Sequence, residues 1–249
     1  MPDRIPYMGP YARPLPGTQP PLDSPQYGST RARAPLLAPI RAPHTLTEAS
    51  SPRLSPAHFP IHADMSRHGG QAAMGERIIV AGRVLDEAGR PVAGSMMEIW
   101  QANSAGRYQT GRYQTGRYQT GRDQHDAPLD PNFEGQARVF TDAEGRYSFT
   151  TIRPGAYPWR NHHNAWRPVH LHFGLFGAAY AQRMVTQMYF PGDPLLPLDP
   201  VFNTTADAAA RDRLIAAFDL DVTMPEFALG YRFDITLRGP SATPFEEHP

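Results

Sequence analysis

The chain has 249 residues, 24 of them basic and 24 acidic, for a formal net charge of zero, and it contains no cysteine. This length is ample for one sizeable core, the scattered and balanced charge argues against a nucleic-acid surface or a polybasic membrane patch, and the missing cysteines exclude disulfides, thiolate nucleophiles and iron–sulfur ligation. Any metal would be held by nitrogen and oxygen donors.

No run approaches the roughly 20 apolar residues of a membrane helix. The start, Met1-Pro-Asp-Arg-Ile-Pro-Tyr, is broken by prolines and lacks the apolar centre of a secretory signal, so a cytoplasmic protein is expected. Residues 1 to about 45 are rich in Pro, Gly and Arg without a sustained period, which predicts an arm that stays extended or disordered unless a partner orders it. With the stretch that follows, residues 1–75 are expected to form an arm suited to contacting a partner, 76–240 a β-sandwich that would carry any active site, and 241–249 a tail. Strand-like runs begin at Arg77-Ile-Ile-Val-Ala-Gly-Arg-Val-Leu and continue through Ser95-Met-Met-Glu-Ile-Trp-Gln, Ala137-Arg-Val-Phe-Thr, Tyr147-Ser-Phe-Thr-Thr-Ile, Val169-His-Leu-His-Phe and Phe227-Ala-Leu-Gly-Tyr-Arg-Phe-Asp-Ile. Turns with Gly or Pro separate them, and this spacing predicts an all-β sandwich. One peripheral helix is expected over residues 206–218, Ala-rich, capped by Thr204 or Thr205, with Leu214 and Phe218 four apart.

Between the second and third strands the pentamer Gly106-Arg-Tyr-Gln-Thr recurs from Gly111 and Gly116 before Gly121-Arg-Asp breaks it. Units this short and polar cannot each bury a face, so the repeat reads as an expanded loop rather than a solenoid.

The segment Val169-His-Leu-His-Phe-Gly carries the chemistry. A period of two puts His170 and His172 on one face of a strand, which is half of a metal site. Tyr157, in Gly155-Ala-Tyr-Pro158, sits in a loop held by Gly and Pro. A phenol with an ordinary pKa of about 10 seldom binds a divalent ion near neutrality, but a hard trivalent cation can displace its proton. Each piece also has a plainer reading: two polar residues on a solvated strand face, and a corner tyrosine bonded to backbone.

Taken in order, Gly82-Arg-Val-Leu-Asp, Glu98-Ile-Trp-Gln-Ala-Asn, Gly106-Arg-Tyr, Leu129-Asp-Pro-Asn-Phe, Tyr157-Pro-Trp-Arg-Asn, Trp166-Arg-Pro-Val-His-Leu-His-Phe and Thr186-Gln-Met-Tyr-Phe-Pro-Gly-Asp resemble the intradiol ring-cleaving dioxygenases, and among them the iron-bearing beta subunits. The likeness runs from about Pro35 to Gly239. It implies a non-haem Fe(III) bound by Tyr157, His170, His172 and one upstream tyrosine, with two phenolates and a hydroxide balancing the charge. Counting forward from Glu98-Ile-Trp gives Tyr108 for the fourth ligand, counting back from Asp123 gives Tyr118, and Tyr113 is intermediate. Tyr108 is preferred, because a ligand beside a packed strand is better positioned than one beyond a flexible insertion. The resemblance further implies that Tyr108 exchanges with substrate while Tyr157 stays bound, and that Arg167 stabilises anionic character. Gln187 is expected to assist as a neutral donor, and Trp159 to form a pocket wall. His44 is assigned a packing role and His162 and His163 solvent-exposed or supporting roles, while His125, beside the repeat, would become a ligand only if the expanded loop were rewired.

The implied reaction is O2-dependent cleavage of protocatechuate (3,4-dihydroxybenzoate) to 3-carboxy-cis,cis-muconate, in the beta-ketoadipate pathway of aromatic degradation. A related, metal-free alpha subunit is the implied partner. Two alternatives stand beside it: intradiol cleavage of another catechol, and a non-catalytic β-sandwich subunit disabled by the pentamer expansion.

Overall fold

The computed structural model describes residues 13–28, 30–37, 54–109, 127–159, 166–177 and 183–245. A small hairpin of β1 (Arg67–His68) and β2 (Gln71–Ala72) precedes the two main sheets. The first long strand, β3 (Arg77–Leu85), alternates half-buried and buried positions, as a strand with one face in a core must. It is followed by β4 (Met96–Trp100), β5 (Gln136–Phe140) and β6 (Arg146–Ile152). A two-residue pair, β7 (Tyr157–Pro158) and β8 (Trp166–Arg167), leads into β9 (His170–Phe176) and β10 (Arg183–Tyr189). The last strands are β11 (Ala217–Phe218), β12 (Leu229–Arg232) and β13 (Ile235–Thr236).

One sheet has the order β10-β9-β4-β5 and is antiparallel throughout. The other is built on β3, with β6 antiparallel on one side and β12 and β13 parallel along successive halves of the other. Ile78, Val80 and Val84 of β3, Phe149 of β6, Met97 and Ile99 of β4 and Leu171, Phe173 and Leu175 of β9 share one buried cluster between the sheets. The all-β sandwich predicted from strand spacing is therefore the observed architecture.

Strand β9 departs from simple alternation, since its first six residues are all buried. Leu171, Phe173 and Leu175 point into the sandwich, so His170, His172 and Gly174 face outward under a second layer of chain. That layer comprises the turn after β4, the β7–β8 pair and the irregular segment after β10. Strands β7, β8 and β10 are absent from the sequence prediction.

The predicted long helix is corrected. Only Ala208–Asp212 is helical, and its cap is Asp207, whose side chain accepts from the Ala210 N–H. Beyond it the chain is captured by sheet pairing: Ala217 and Phe218 form β11 against β12, and the backbone of Tyr189 bonds to Leu214 and Ala216. Leu214 is buried with Tyr189, Leu196 and Phe202, whereas Phe218 is half exposed, so the two do not share a helix face. Tertiary pairing has overridden the Ala-rich propensity.

The described parts of the N-terminal arm lie on the body of their own chain. Gln19 bonds the backbone of Thr243 and Phe245, Gly17 accepts from Asp207 N–H, and Tyr27 packs on Trp159 with ring centroids 5.2 Å apart. A four-residue helix, Thr30–Arg33, interrupts the expected extended stretch.

Candidate metal centre

On the outer face of β9, His170 and His172 are 2% and 1% exposed. The imidazole of His172 stacks on Trp100, its cross-strand partner in β4, at 4.9 Å and 3°. His170 Nδ1 lies 2.6 Å from the Pro168 carbonyl oxygen. A carbonyl only accepts, so Nδ1 carries the proton and the neutral ring presents the Nε2 lone pair to the site. This kind of backbone anchor fixes both tautomer and ring orientation.

Tyr157 enters from β7, where it pairs in register with Arg167 of β8. Its hydroxyl is 3.3 Å from His170 Nε2 and donates to that lone pair. Tyr108 comes from the turn after β4, and its hydroxyl is 3.1 Å from His172 Nε2. The two phenol rings meet edge to face at 5.7 Å.

Local contacts specify why Tyr108 arrives there. Asn103 Oδ1 accepts from the backbone of Ala105 and Arg107, closing the turn. Gly106 has φ +78°, and a Cβ there would stand 2.3 Å from the Ala156 oxygen, so only glycine lets the turn lie against the Tyr157 loop. Arg107 donates to the Ala127 carbonyl at 2.7 Å, and the Gln109 amide donates to the Asp130 and Phe133 carbonyls. Every residue of the first Gly-Arg-Tyr-Gln copy thus has a specific seat. Tyr113 and Tyr118 lie outside the described residues, as do His44, His125, His162 and His163.

Burial pushes the Tyr157 phenol well above its ordinary range; Tyr108 adds to the shift and the Arg167 charge opposes it. A phenolate in this position therefore needs a strong cation beside it. Among the described residues no group of three His, Cys, Asp or Glu could hold a metal, so the phenols are required to complete a donor set. Donor separations of 3.1 and 3.3 Å also suit neighbours on one ion with bonds of about 2.0–2.3 Å. Two neutral imidazoles and two phenols that become anionic on binding match a hard trivalent ion better than a divalent one. The residues present fit ferric iron.

Arg167 is 1% exposed, and three side chains converge on it. Its Nη2 donates to Gln187 Oε1 at 2.5 Å and lies 3.3 Å from the Tyr189 hydroxyl, while Nε and Nη2 face Asp199 Oδ1 and Oδ2 at 3.1 and 3.3 Å. Trp159 is buried with its ring 5.5 Å from the guanidinium carbon and its other contact on Tyr27, so it supports Arg167 from the arm side. The structure thus brings Tyr108, Tyr157, His170, His172, Arg167, Gln187 and Trp159 into one neighbourhood. Sequence reasoning missed Asp199, Tyr189 and Trp100. Asp199 was findable in principle, because a buried arginine demands a carboxylate and few occur in the apolar run Leu195-Leu-Pro-Leu-Asp-Pro.

Among the described residues no helix is long and apolar enough to cross a membrane. A family model described as "Dioxygenase" matches residues 50–239, and one described as "Protocatechuate 3,4-dioxygenase beta subunit N terminal" matches residues 11–45. Sandwich and sequence together define a ring-cleaving dioxygenase, and the chain belongs to the intradiol dioxygenase family. More particularly, it is 52% identical over 225 residues to the protocatechuate 3,4-dioxygenase beta chain of Burkholderia cepacia, covering 89% of this chain and 91% of that one. The protocatechuate 3,4-dioxygenase alpha chain of the same organism is 29% identical over 176 residues, 70% of this chain and 78% of its own length. The solved 3-chlorocatechol 1,2-dioxygenase of Rhodococcus opacus 1CP superposes with a TM-score of 0.50 at 22% identity, over 79% of this chain and 70% of that chain, a likeness of fold alone.

Proposed function

We propose that this chain is the metal-bearing subunit of a ferric intradiol dioxygenase that opens protocatechuate with O2 between its hydroxylated carbons, giving 3-carboxy-cis,cis-muconate. The observation that carries the reading is the buried convergence of two phenols and two imidazoles on the outer face of β9. The choice of substrate rests on the 52% identity to a protocatechuate 3,4-dioxygenase beta chain. Tyr108, Tyr157, His170 and His172 would hold the ion. When bound, it would supply Lewis acidity that draws electron density from a catechol's oxygens and opens the ring to attack by oxygen.

The chain's own residues do the rest. Tyr157, 1% exposed and paired with Arg167 across β7–β8, is the permanent phenolate. Tyr108, carried on a turn, exchanges: its Oη takes the proton of one catechol hydroxyl as substrate enters. Arg167 turns fixed N–H donors toward negative charge developing on the substrate, and Gln187 orients that guanidinium. Burial of the layer around His170 and His172 keeps water from these polar contacts, which strengthens them. A metal-free alpha chain, similar to the one in Burkholderia cepacia, is the proposed partner, and a cytoplasmic location the proposed setting.

The test is the visible spectrum of the protein purified with its alpha chain and loaded with ferric iron, before and after anaerobic protocatechuate. A tyrosinate-to-iron band that shifts on substrate addition, and that changes in Tyr108→Phe, is the expected result. A protein that stays colourless after iron loading would refute the reading and favour a non-catalytic sandwich subunit.

A further inference from the structure

Asp199 takes no part in binding the ion in the proposed mechanism, yet its carboxylate is set against the active-site arginine. It is 0% exposed. Its segment holds it from several sides: Oδ1 accepts from the Val201 N–H at 3.2 Å, the Asn203 side chain donates to its carbonyl at 2.8 Å, and its own N–H bonds Leu196 O. The Tyr189 hydroxyl lies 3.1 Å from Oδ2 and 2.8 Å from Gln187 Oε1, tying Asp199 to β10. A carboxylate fixed in this way accepts from Arg167 Nη2 at 3.3 Å and stands 3.1 Å from Nε as an ion pair, while the guanidinium carbon lies 5.5 Å from the Trp159 ring centre. With Gln187 Oε1, the Tyr189 hydroxyl and Asp199 Oδ2 all within reach of Nη2, these contacts restrict the orientation of the guanidinium.

A buried ion pair is weak evidence for stability, because desolvating both charges offsets much of their attraction. What this one supplies is direction. Resting on the dioxygenase reading above, we infer that Asp199 is a positioning residue, which together with Tyr189 aims the Arg167 guanidinium at the substrate and neutralises its charge in the buried site. Asp199 belongs to the irregular chain between two short turns, Leu196–Leu198 and Phe202–Thr204, and not to the elements that carry the iron donors. Its loss should therefore impair turnover without emptying the metal site.

The experiment uses the ferric alpha–beta assembly with Asp199→Asn, Arg167→Lys and the double variant, reading iron content, the visible band, its shift with anaerobic protocatechuate, and steady-state kinetics. For Asp199→Asn we expect iron content, band and shift to match the parent, KM to stay within about threefold, and kcat to fall about 10- to 1,000-fold. In the Arg167→Lys background the same substitution should cost less than about a further threefold, because the two residues act as one unit. Unchanged kcat, additive losses, or a fall in kcat that merely follows lost iron would each overturn the inference. Should Asp199→Asn fail to assemble, Tyr189→Phe decides by the same criteria: it keeps the ring and removes the hydroxyl, and kcat should fall at least about threefold with the band unchanged. A parent assembly that binds iron without a tyrosinate band refutes the dioxygenase reading itself, and the positioning role with it.

Discussion

The two faces of β9 are equally buried but are held in different ways. On the inner face Leu171, Phe173 and Leu175 join a large apolar cluster whose attractions are many, individually small and without direction. On the outer face His170 and His172 each meet a few partners at fixed geometry: a carbonyl, two phenols and a stacked indole. The inner face therefore carries conformational stability, and the outer face carries chemistry while contributing little to the fold. One strand serves both because its period of two separates them cleanly.

Substitutions at neighbouring positions should pull the two properties apart. His172→Ala, on the outer face, should abolish the tyrosinate–iron band and turnover while changing unfolding free energy by less than about 2 kcal/mol in denaturant titration. Phe173→Ala, one residue along, should cost about 3–5 kcal/mol of stability, yet the fraction that remains folded should bind iron with an unaltered band. If both variants lost band and stability together, the division between faces would be wrong.

Two further changes probe the ends of the same contrast. Gly106→Ala drives a Cβ against the Ala156 oxygen at positive φ, which should cost about 1–3 kcal/mol and weaken the visible band by moving Tyr108. Retention of the parent band would mean that the turn does not position Tyr108. In the core, burial pushes the Tyr147 phenol well above its ordinary value of 10.0, and its hydroxyl donates to the Phe233 carbonyl. The folded state thus keeps this proton when the unfolded chain has released it, so its contribution is complete below about pH 10 and is lost as pH rises further, by up to about 1.4 kcal/mol per pH unit. Tyr147→Phe should flatten that alkaline limb of stability; an unaltered limb would assign it to other groups.

How much of this was legible beforehand varied with how local the signal is. His170 and His172 share a face because two residues along a strand always do, and the strand itself was plain from its apolar alternation. Tyr157 stood out through its Gly and Pro neighbours. The helix at residues 206–218 was misjudged because propensity is a weak local preference, and pairing with Tyr189 and β12 outweighed it. The three Gly-Arg-Tyr copies are identical as sequence, so only closeness to the Glu98-Ile-Trp strand favoured Tyr108 among them. Among the described residues Tyr108 is seated beside His172, through Asn103, Gly106 and Gln109 acting on chain far away in sequence.

By itself, the sequence determined the class of fold, the intradiol resemblance and the kinds of donor atom available, because strand periodicity, turn residues and the absence of cysteine act over a few residues or over composition. Only the tertiary structure decided which face of β9 met the phenols, that the described arm packs on its own body, and that Asp199, 32 positions further along the chain, stands opposite Arg167. Those outcomes depend on contacts between distant segments, and on the need to pair each buried polar group once water has been excluded.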